Sequence, residues 1–183
     1  NADGSLDTSF DGDGKVTTGG ASASVTVQAD GKILVAGDSA LERYNIDGSL
    51  DSSFDGDGKV TTGGASASVT VQADGKILVA GGIPDFSLAR YNADGSLDTS
   101  FDGDGKVTTD FMGYDSARSV TVQADGKILV AGRGDYGGSY TSDFALARYN
   151  ADGSLDTSFD IDGKVTTGIY NHSYKGESVT VQA

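Results

Sequence analysis

The block from Asp3 to Gly37 returns from Asp47 to Gly81 with one difference, Thr8 against Ser52, and further copies open at Asn92 and Asn150. A chain built this way folds as repeated supersecondary units, each burying its apolar residues against its neighbours. The starts at Asn1, Asn45, Asn92 and Asn150 lie 44, 47 and 58 residues apart, at or just above the spacing of propeller blades. Length varies at two places only, after Gly37, Gly81 and Gly132 and after Thr18, Thr62, Thr109 and Thr167, which marks loops on a constant scaffold. The largest insertion puts 15 residues between Gly132 and Arg148, where five separate Gly37 from Arg43.

Within a unit, Ser24-Val25-Thr26-Val27-Gln28 alternates polar and apolar residues and then meets Asp30-Gly31, a strong hairpin-turn signal. The return strand, Lys32-Ile33-Leu34-Val35, is apolar at successive positions, as suits a strand covered on both faces. Phe144 to Tyr149 alternates again, Asn150-Ala151-Asp152-Gly153 turns, and a short Lys-Val-Thr-Thr strand follows. Four antiparallel strands per period predict an all-β chain of propeller blades. A parallel β-helix is the rival architecture, but its coils are shorter and tight hairpins would reverse the chain where a solenoid continues. Composition agrees with strands and turns. There are 28 Gly, and the acidic residues are 25 Asp against two Glu, whereas a helical surface favours Glu because Asp competes for its own backbone.

The net charge of −14 repels nucleic acid and anionic membrane alike, so neither is expected as a partner. No apolar run approaches the roughly 18 residues of a membrane span, so no membrane insertion is expected. Without cysteine there is neither a disulfide framework nor a thiolate metal site. The chain opens on Asn1-Ala2-Asp3-Gly4, and its ends read as cut from something longer.

The phrases Asn92 to Val107 and Val122 to Gly132 resemble the bacterial delta-60 repeat, a family of propeller-like repeats, and the match covers nearly the whole chain. The resemblance implies a place in a large secreted or surface-exposed bacterial protein, with further blades in the same parent chain, and brings no catalytic residue with it. The hairpin around Asp125-Gly126 also looks like the inner hairpin of WD-type blades, which makes Ser-Val-Thr-Val-Gln-Ala the inner strand and Lys-Val-Thr-Thr the outer. The chain is then one incomplete repeat domain: residues 1–18 give a turn and an outer strand, 24–62, 68–109 and 119–167 give three full blades, and 178–183 give the inner strand of a next blade. Such an arc does not close a ring of about four to eight blades alone. Ser39 stands where later units have Phe86 and Phe144, so the first blade is expected to pack less well.

Every unit carries a carboxylate-rich loop: Asp7, Asp11 and Asp13; Asp51, Asp55 and Asp57; Asp98, Asp102 and Asp104; Asp156, Asp160 and Asp162. Two readings are open. Asp beside Gly caps turns by accepting backbone N–H bonds. Alternating carboxylates in a Gly-rich loop can also wrap calcium, which takes about six to eight oxygen ligands, although the bidentate Glu of an EF-hand is missing here. The fourth copy has Ile161 in place of Gly12, Gly56 and Gly103; a β-branched residue is disfavoured at positive φ, so no left-handed backbone is expected there.

Arg43, Arg90 and Arg148 recur before a Tyr in each blade and are expected to form structural ion pairs, some between neighbouring blades. The only imidazole, His172, sits in a variable loop with no motif around it. Tyr114, Tyr136, Tyr140, Tyr170 and Tyr174 all fall outside the repeat frame, and Tyr in Ser/Gly-rich loops is typical of binding surfaces, so these are the candidates for contact with a protein or glycan. The sequence thus reads as a noncatalytic extracellular or cell-surface repeat module with a structural, adhesive or binding role. The alternative is part of a propeller glycosidase or lyase whose catalytic residues lie in nonrepeated loops or elsewhere.

Overall fold

The computed structural model describes residues 1–135, 142–168 and 176–181. Among them are twelve strands and no helix, arranged as three four-stranded antiparallel sheets. The first is β1 (Ser22–Val27), β2 (Ile33–Gly37), β3 (Ala40–Tyr44) and β4 (Lys59–Thr61). The second is β5 (Ser66–Val71), β6 (Ile77–Gly81), β7 (Phe86–Tyr91) and β8 (Lys106–Thr109); the third is β9 (Ser116–Val122), β10 (Ile128–Asp135), β11 (Ser142–Tyr149) and β12 (Lys164–Thr167). In each, strand order follows chain order, the up-and-down meander of a propeller blade.

The Asp-Gly turns set the register. Gly31 takes φ of 85° and its N–H bonds Gln28 O at 2.9 Å, which pairs Val27 with Ile33 across β1 and β2. Pairing in this register sends Leu34 and Ala36 to one face of the sheet, toward blade two. The core therefore lies between blades: Leu34, Leu41, Phe54 and Val60 of blade one mesh with Val69, Ile77, Val79 and Tyr91 of blade two. Leu78, Leu88, Phe101 and Val107 of blade two meet Val120, Ile128, Val130 and Tyr149 of blade three in the same way. The inner strands are stitched as well: Ser24 Oγ accepts from Val69 N at 3.1 Å, Ser68 Oγ from Val120 N at 3.2 Å, and Ser119 Oγ from Val179 N at 3.1 Å.

Two segments expected as strands are not strands. Lys15–Thr18 and residues 178–181 join no ladder, because an extended segment becomes a strand only with a hydrogen-bonded neighbour and none lies beside them among the described residues. The same absence shows on the sheet face: Val25 is 66% exposed where its counterparts Val69 and Val120 are each 6% exposed. In blade one the β2–β3 connection is the tight pair Asp38-Ser39, both at positive φ, so Ser39 does not enter the core as Phe86 does.

Equivalent positions differ in how well they are satisfied. Tyr149 OH lies 2.7 Å from Thr109 Oγ1, whereas the buried Tyr91 OH has no partner among the described residues. An unpaired buried hydroxyl costs its lost hydration, so Tyr91→Phe is expected to leave stability unchanged or raise it by up to about 1 kcal/mol, while Tyr149→Phe lowers it by about 1 kcal/mol. Urea unfolding of the two variants checks this.

Candidate functional site

The repeated Asp loops are placed at the outer rim, where the first three join the Asn-x-Asp-Gly turn of the following blade. Asp51 Oδ1 accepts from Ser53 N and Oγ, and its Oδ2 accepts from Lys32 Nζ and from Arg43 Nε at 2.7 Å. That holds the Arg43 guanidinium 4.5 Å over the Phe54 ring and aims Nη1 at Ala93 O, 2.5 Å away in blade two. Asp55 N completes the joint by donating to Asp94 O at 2.8 Å. Arg90, Asp98, Phe101 and Asp102 repeat the arrangement on Ala151 and Asp152, at 2.6 and 2.7 Å. At the first loop Asp11 N donates to Asp47 O at 2.7 Å without an arginine. The turn must end in glycine, since a Cβ at Gly95 would lie 2.9 Å from Asp55 N and 3.0 Å from the Phe54 ring.

The arginines thus form ion pairs within a blade and hydrogen bonds between blades. Asp13, Asp57, Asp104 and Asp162 each accept the N–H two residues on, from Lys15, Lys59, Lys106 and Lys164, at 2.9 to 3.0 Å, the geometry of turn capping. Among the described residues the Asp7 carboxylate accepts from Ser9 alone. The left-handed positions require a correction. Asp11, Asp55, Asp102 and Asp160 have φ of 47 to 50°, and Ile161 follows at 76° just as Gly12, Gly56 and Gly103 follow at 80 to 87°. The turn fixes the backbone of two successive residues, and Ile161, 90% exposed, accepts the strain because no neighbouring group opposes its side chain.

Burial pushes the Asp51 and Asp98 carboxyls up, but the bonds from Lys32 and Lys76, then from serine and arginine, outweigh it and hold both well below the usual carboxylate range. Lys127, Ser158 and Arg148 do the same for Asp156.

The nonrepeated chemistry gathers on two loops, 82–85 and 110–115, between blades two and three. Asp115 N donates to Pro84 O at 2.5 Å, and the fully buried Asp115 accepts from Phe111 N at 2.6 Å. Phe111 packs on Phe86 with ring centroids 4.8 Å apart, which fixes the second loop on the blade. Asp85, Asp110 and Asp115 bring one carboxylate oxygen each within 4.8 Å of the others, the only such set among the described residues, and none of the twelve repeat-loop carboxylates belongs to it. Ile83, Met112 and Tyr114 stand 65 to 67% exposed on the same loops. Tyr114 is thus placed on an accessible surface; Tyr136, Tyr140, Tyr170, Tyr174 and His172 lie outside the described residues. The sequence signal for the acidic set was available, six aspartates outside the repeat frame, but which three of them meet depends on two loops from separate strand connections.

A second nonrepeated feature is Glu42, which takes the place of Ala89 and Ala147. It accepts from Tyr44 OH and from Lys59 Nζ at 2.7 Å at the wall of a cavity of about 310 Å³ lined also by Thr18, Gly20 and Asp38. Burial raises the Glu42 carboxyl, but the bonds from Lys59 and Tyr44 bring it below its ordinary value; burial and Glu42 together push the Tyr44 hydroxyl up.

Strands, meander order and blade-on-blade packing define a β-propeller architecture. A family model described as a domain of unknown function, the DUF5122 beta-propeller, matches residues 28–54, 72–101 and 123–159, together just over half of the chain, and the chain belongs to that family. A crystal structure of a protein of unknown function from Bacteroides caccae is similar at 16% identity and a TM-score of 0.47, over 75% of this chain and 63% of that one, so this chain spans under two thirds of its length. No curated protein matches.

Breaking a buried ion pair costs about 3 kcal/mol, so Asp98→Asn is expected to lose about that in chemical denaturation, whereas Asp7→Asn, at an exposed copy of the same position, leaves the denaturation midpoint unchanged. The pH dependence has a definite sign. Asp51, Asp98 and Asp156 are more acidic folded than unfolded, where Asp titrates near about 3.9, so their contribution is complete above about pH 4 and is lost as pH falls below it. Thermal midpoints measured downward from about pH 5 should fall, and Asp98→Asn should flatten the fall. Calcium is tested by comparing midpoints in excess calcium and in chelator. Turn capping expects no movement, and a rise with calcium that persists in an Asp85→Asn/Asp110→Asn variant would show that the loops hold the ion.

Proposed function

We propose that the chain is a noncatalytic repeat module of the delta-60 kind, displayed outside the bacterial cell, that binds a protein or glycan through its nonrepeated loops. The observation that carries this reading is the pair of loops 82–85 and 110–115. Their buried anchors, Phe111 and Asp115, hold a fixed platform from which Ile83, Met112 and Tyr114 project into solvent. Exposed aromatic and sulfur-bearing side chains on a rigid base suit recognition, since little conformational freedom is left to lose on binding. Further blades of a parent chain and an extracellular address follow from the resemblance of the repeat phrases.

The test is a binding screen of the purified chain against immobilised glycans and extracellular matrix proteins, run beside a Met112→Ser/Tyr114→Ser double variant. At least one ligand is expected whose affinity falls about tenfold or more in the variant while its thermal midpoint stays put. A ligand bound equally by both proteins, or no binding at all, overturns the reading.

One observation favours the enzymatic alternative, the unique Glu42 with Lys59 and Tyr44 at a cavity wall. On that reading Glu42→Gln abolishes a glycosidase or lyase activity of the chain and leaves loop binding intact.

A further inference from the structure

Fourteen Asp-Gly pairs occur in the chain, and in that dipeptide no Cβ shields the glycine nitrogen from the carboxyl group before it. Eleven of the pairs are held twice. The glycine N–H donates to a carbonyl three or four residues back, as from Gly31 to Gln28 O at 2.9 Å and from Gly58 to Phe54 O at 2.7 Å. The aspartate Oδ1 accepts the N–H two residues on, as Asp30 does from Lys32 at 3.1 Å and Asp57 from Lys59 at 2.9 Å.

The other three pairs are Asp11-Gly12, Asp55-Gly56 and Asp102-Gly103. Among the described residues their glycine N–H groups donate to nothing and their carboxylates accept nothing. All six residues are exposed, and a Cβ at any of the three glycines would meet nothing within 4 Å. Local sequence does not make the difference, because Asp55-Gly56 is followed at once by Asp57-Gly58. The fold makes it: Asp55 and Asp102 sit at φ of 50°, give their own N–H to Asp94 O and Asp152 O in the rim joint, and leave their side chains in solvent. The fourth loop has the same left-handed aspartate, Asp160 at φ of 47°, but Ile161 follows it, and a branched side chain crowds the nitrogen.

We propose that Asp55 and Asp102, with Asp11 in the same setting, are sites of spontaneous isoaspartate formation. The Gly56 nitrogen attacks Asp55 Cγ, an N–Cγ bond forms, and the carboxyl hydroxyl and the amide proton leave together as water, giving a cyclic imide. Water then adds at the former backbone carbonyl and breaks its bond to the Gly56 nitrogen. The chain now runs on through Cβ and Cγ, and the old carbonyl carbon carries the free carboxylate. One water leaves and one returns, so no other reagent is needed. The reaction requires a free carboxyl, a free amide and room for approach, and these three pairs offer all of them. At Asp55 and Asp102 the conversion inserts a backbone carbon directly after the N–H that closes the rim joint, so the modification falls on the contact between blades. The inference goes beyond the proposed loop-binding function and shares no residue with it.

The test holds the full 183-residue chain for weeks at neutral pH and physiological temperature in heavy-oxygen water with chelator, then digests it in ordinary water. Every imide opened by water retains a heavy oxygen, which peptide fragmentation assigns to a residue. Label is expected at Asp11, Asp55 and Asp102 at least about tenfold ahead of the held pairs, where two hydrogen bonds must break first. Asp160 stays as slow as the held pairs. In urea the Asp-Gly pairs become equal while Asp160 stays slow. Gly56→Ile, which copies the fourth loop, should suppress label at Asp55 and leave Asp102 unchanged. An isoaspartyl methyltransferase should methylate the aged wild type in proportion to its label. Label spread evenly over the Asp-Gly pairs of the folded chain, or absent from Asp55 and Asp102 while the urea-unfolded chain is labelled, overturns the proposal. So does label at Asp55 that Gly56→Ile leaves undiminished, or label without methyl acceptance, which would mean that the imide reopens to aspartate alone.

Discussion

A sheet that is apolar on both faces cannot be buried by one layer, and this constraint organises the molecule. Ile77, Leu78 and Val79 alternate between the core shared with blade one and the core shared with blade three, so blade two is complete only between its neighbours. Val25 shows the converse, mostly exposed in the same sequence that buries Val69. Stability in such an array resides in interfaces more than in units. Contact between apolar faces does not fix the angle between blades, and the rim joint supplies that: an arginine held by its own blade's aspartate and phenylalanine reaches a backbone carbonyl of the next.

Repetition also separates what the scaffold needs from what varies. The loop aspartates serve different ends within a few residues: the Asp51 carboxylate neutralises Lys32 and Arg43, Asp55 offers its backbone N–H across the joint, and the Asp57 carboxylate caps the turn into β4. The features that occur once, Asp85, Asp110 and Asp115 with their exposed apolar neighbours, and Glu42 with Lys59, lie in or beside the variable positions, where selection for binding can act without disturbing the joints.

Much of the fold was legible because its signals are local. Asp30-Gly31 between an alternating and an apolar run specifies a hairpin, and threefold recurrence converts hairpins into blades. The arginine bridges were readable as a class, one guanidinium per unit amid many carboxylates, but not their acceptors, since Ala93 O is a backbone group 50 residues from Arg43. Lys15–Thr18 has the composition of an outer strand, yet composition cannot supply the partner strand. Ile161 misled because residue preference pointed away from φ above zero, while the Asp160 turn and the register of β12 demanded it. The acidic set at Asp115 was legible only in part: its aspartates stand outside the repeat frame, but that they meet depends on loops 82–85 and 110–115 coming together, Asp115 N on Pro84 O.

The central claim is that identical local sequences are ordered by the neighbouring blade through the rim joint. Amide hydrogen exchange at Asp55, Asp102 and Asp160 tests it most directly. All three amides sit in left-handed aspartates of equivalent loops, but among the described residues only the first two donate to a carbonyl of the next blade. The account predicts slow exchange at Asp55 and Asp102 and near-unprotected exchange at Asp160. Equal protection at all three would contradict it, by showing that each loop holds its own structure without the joint.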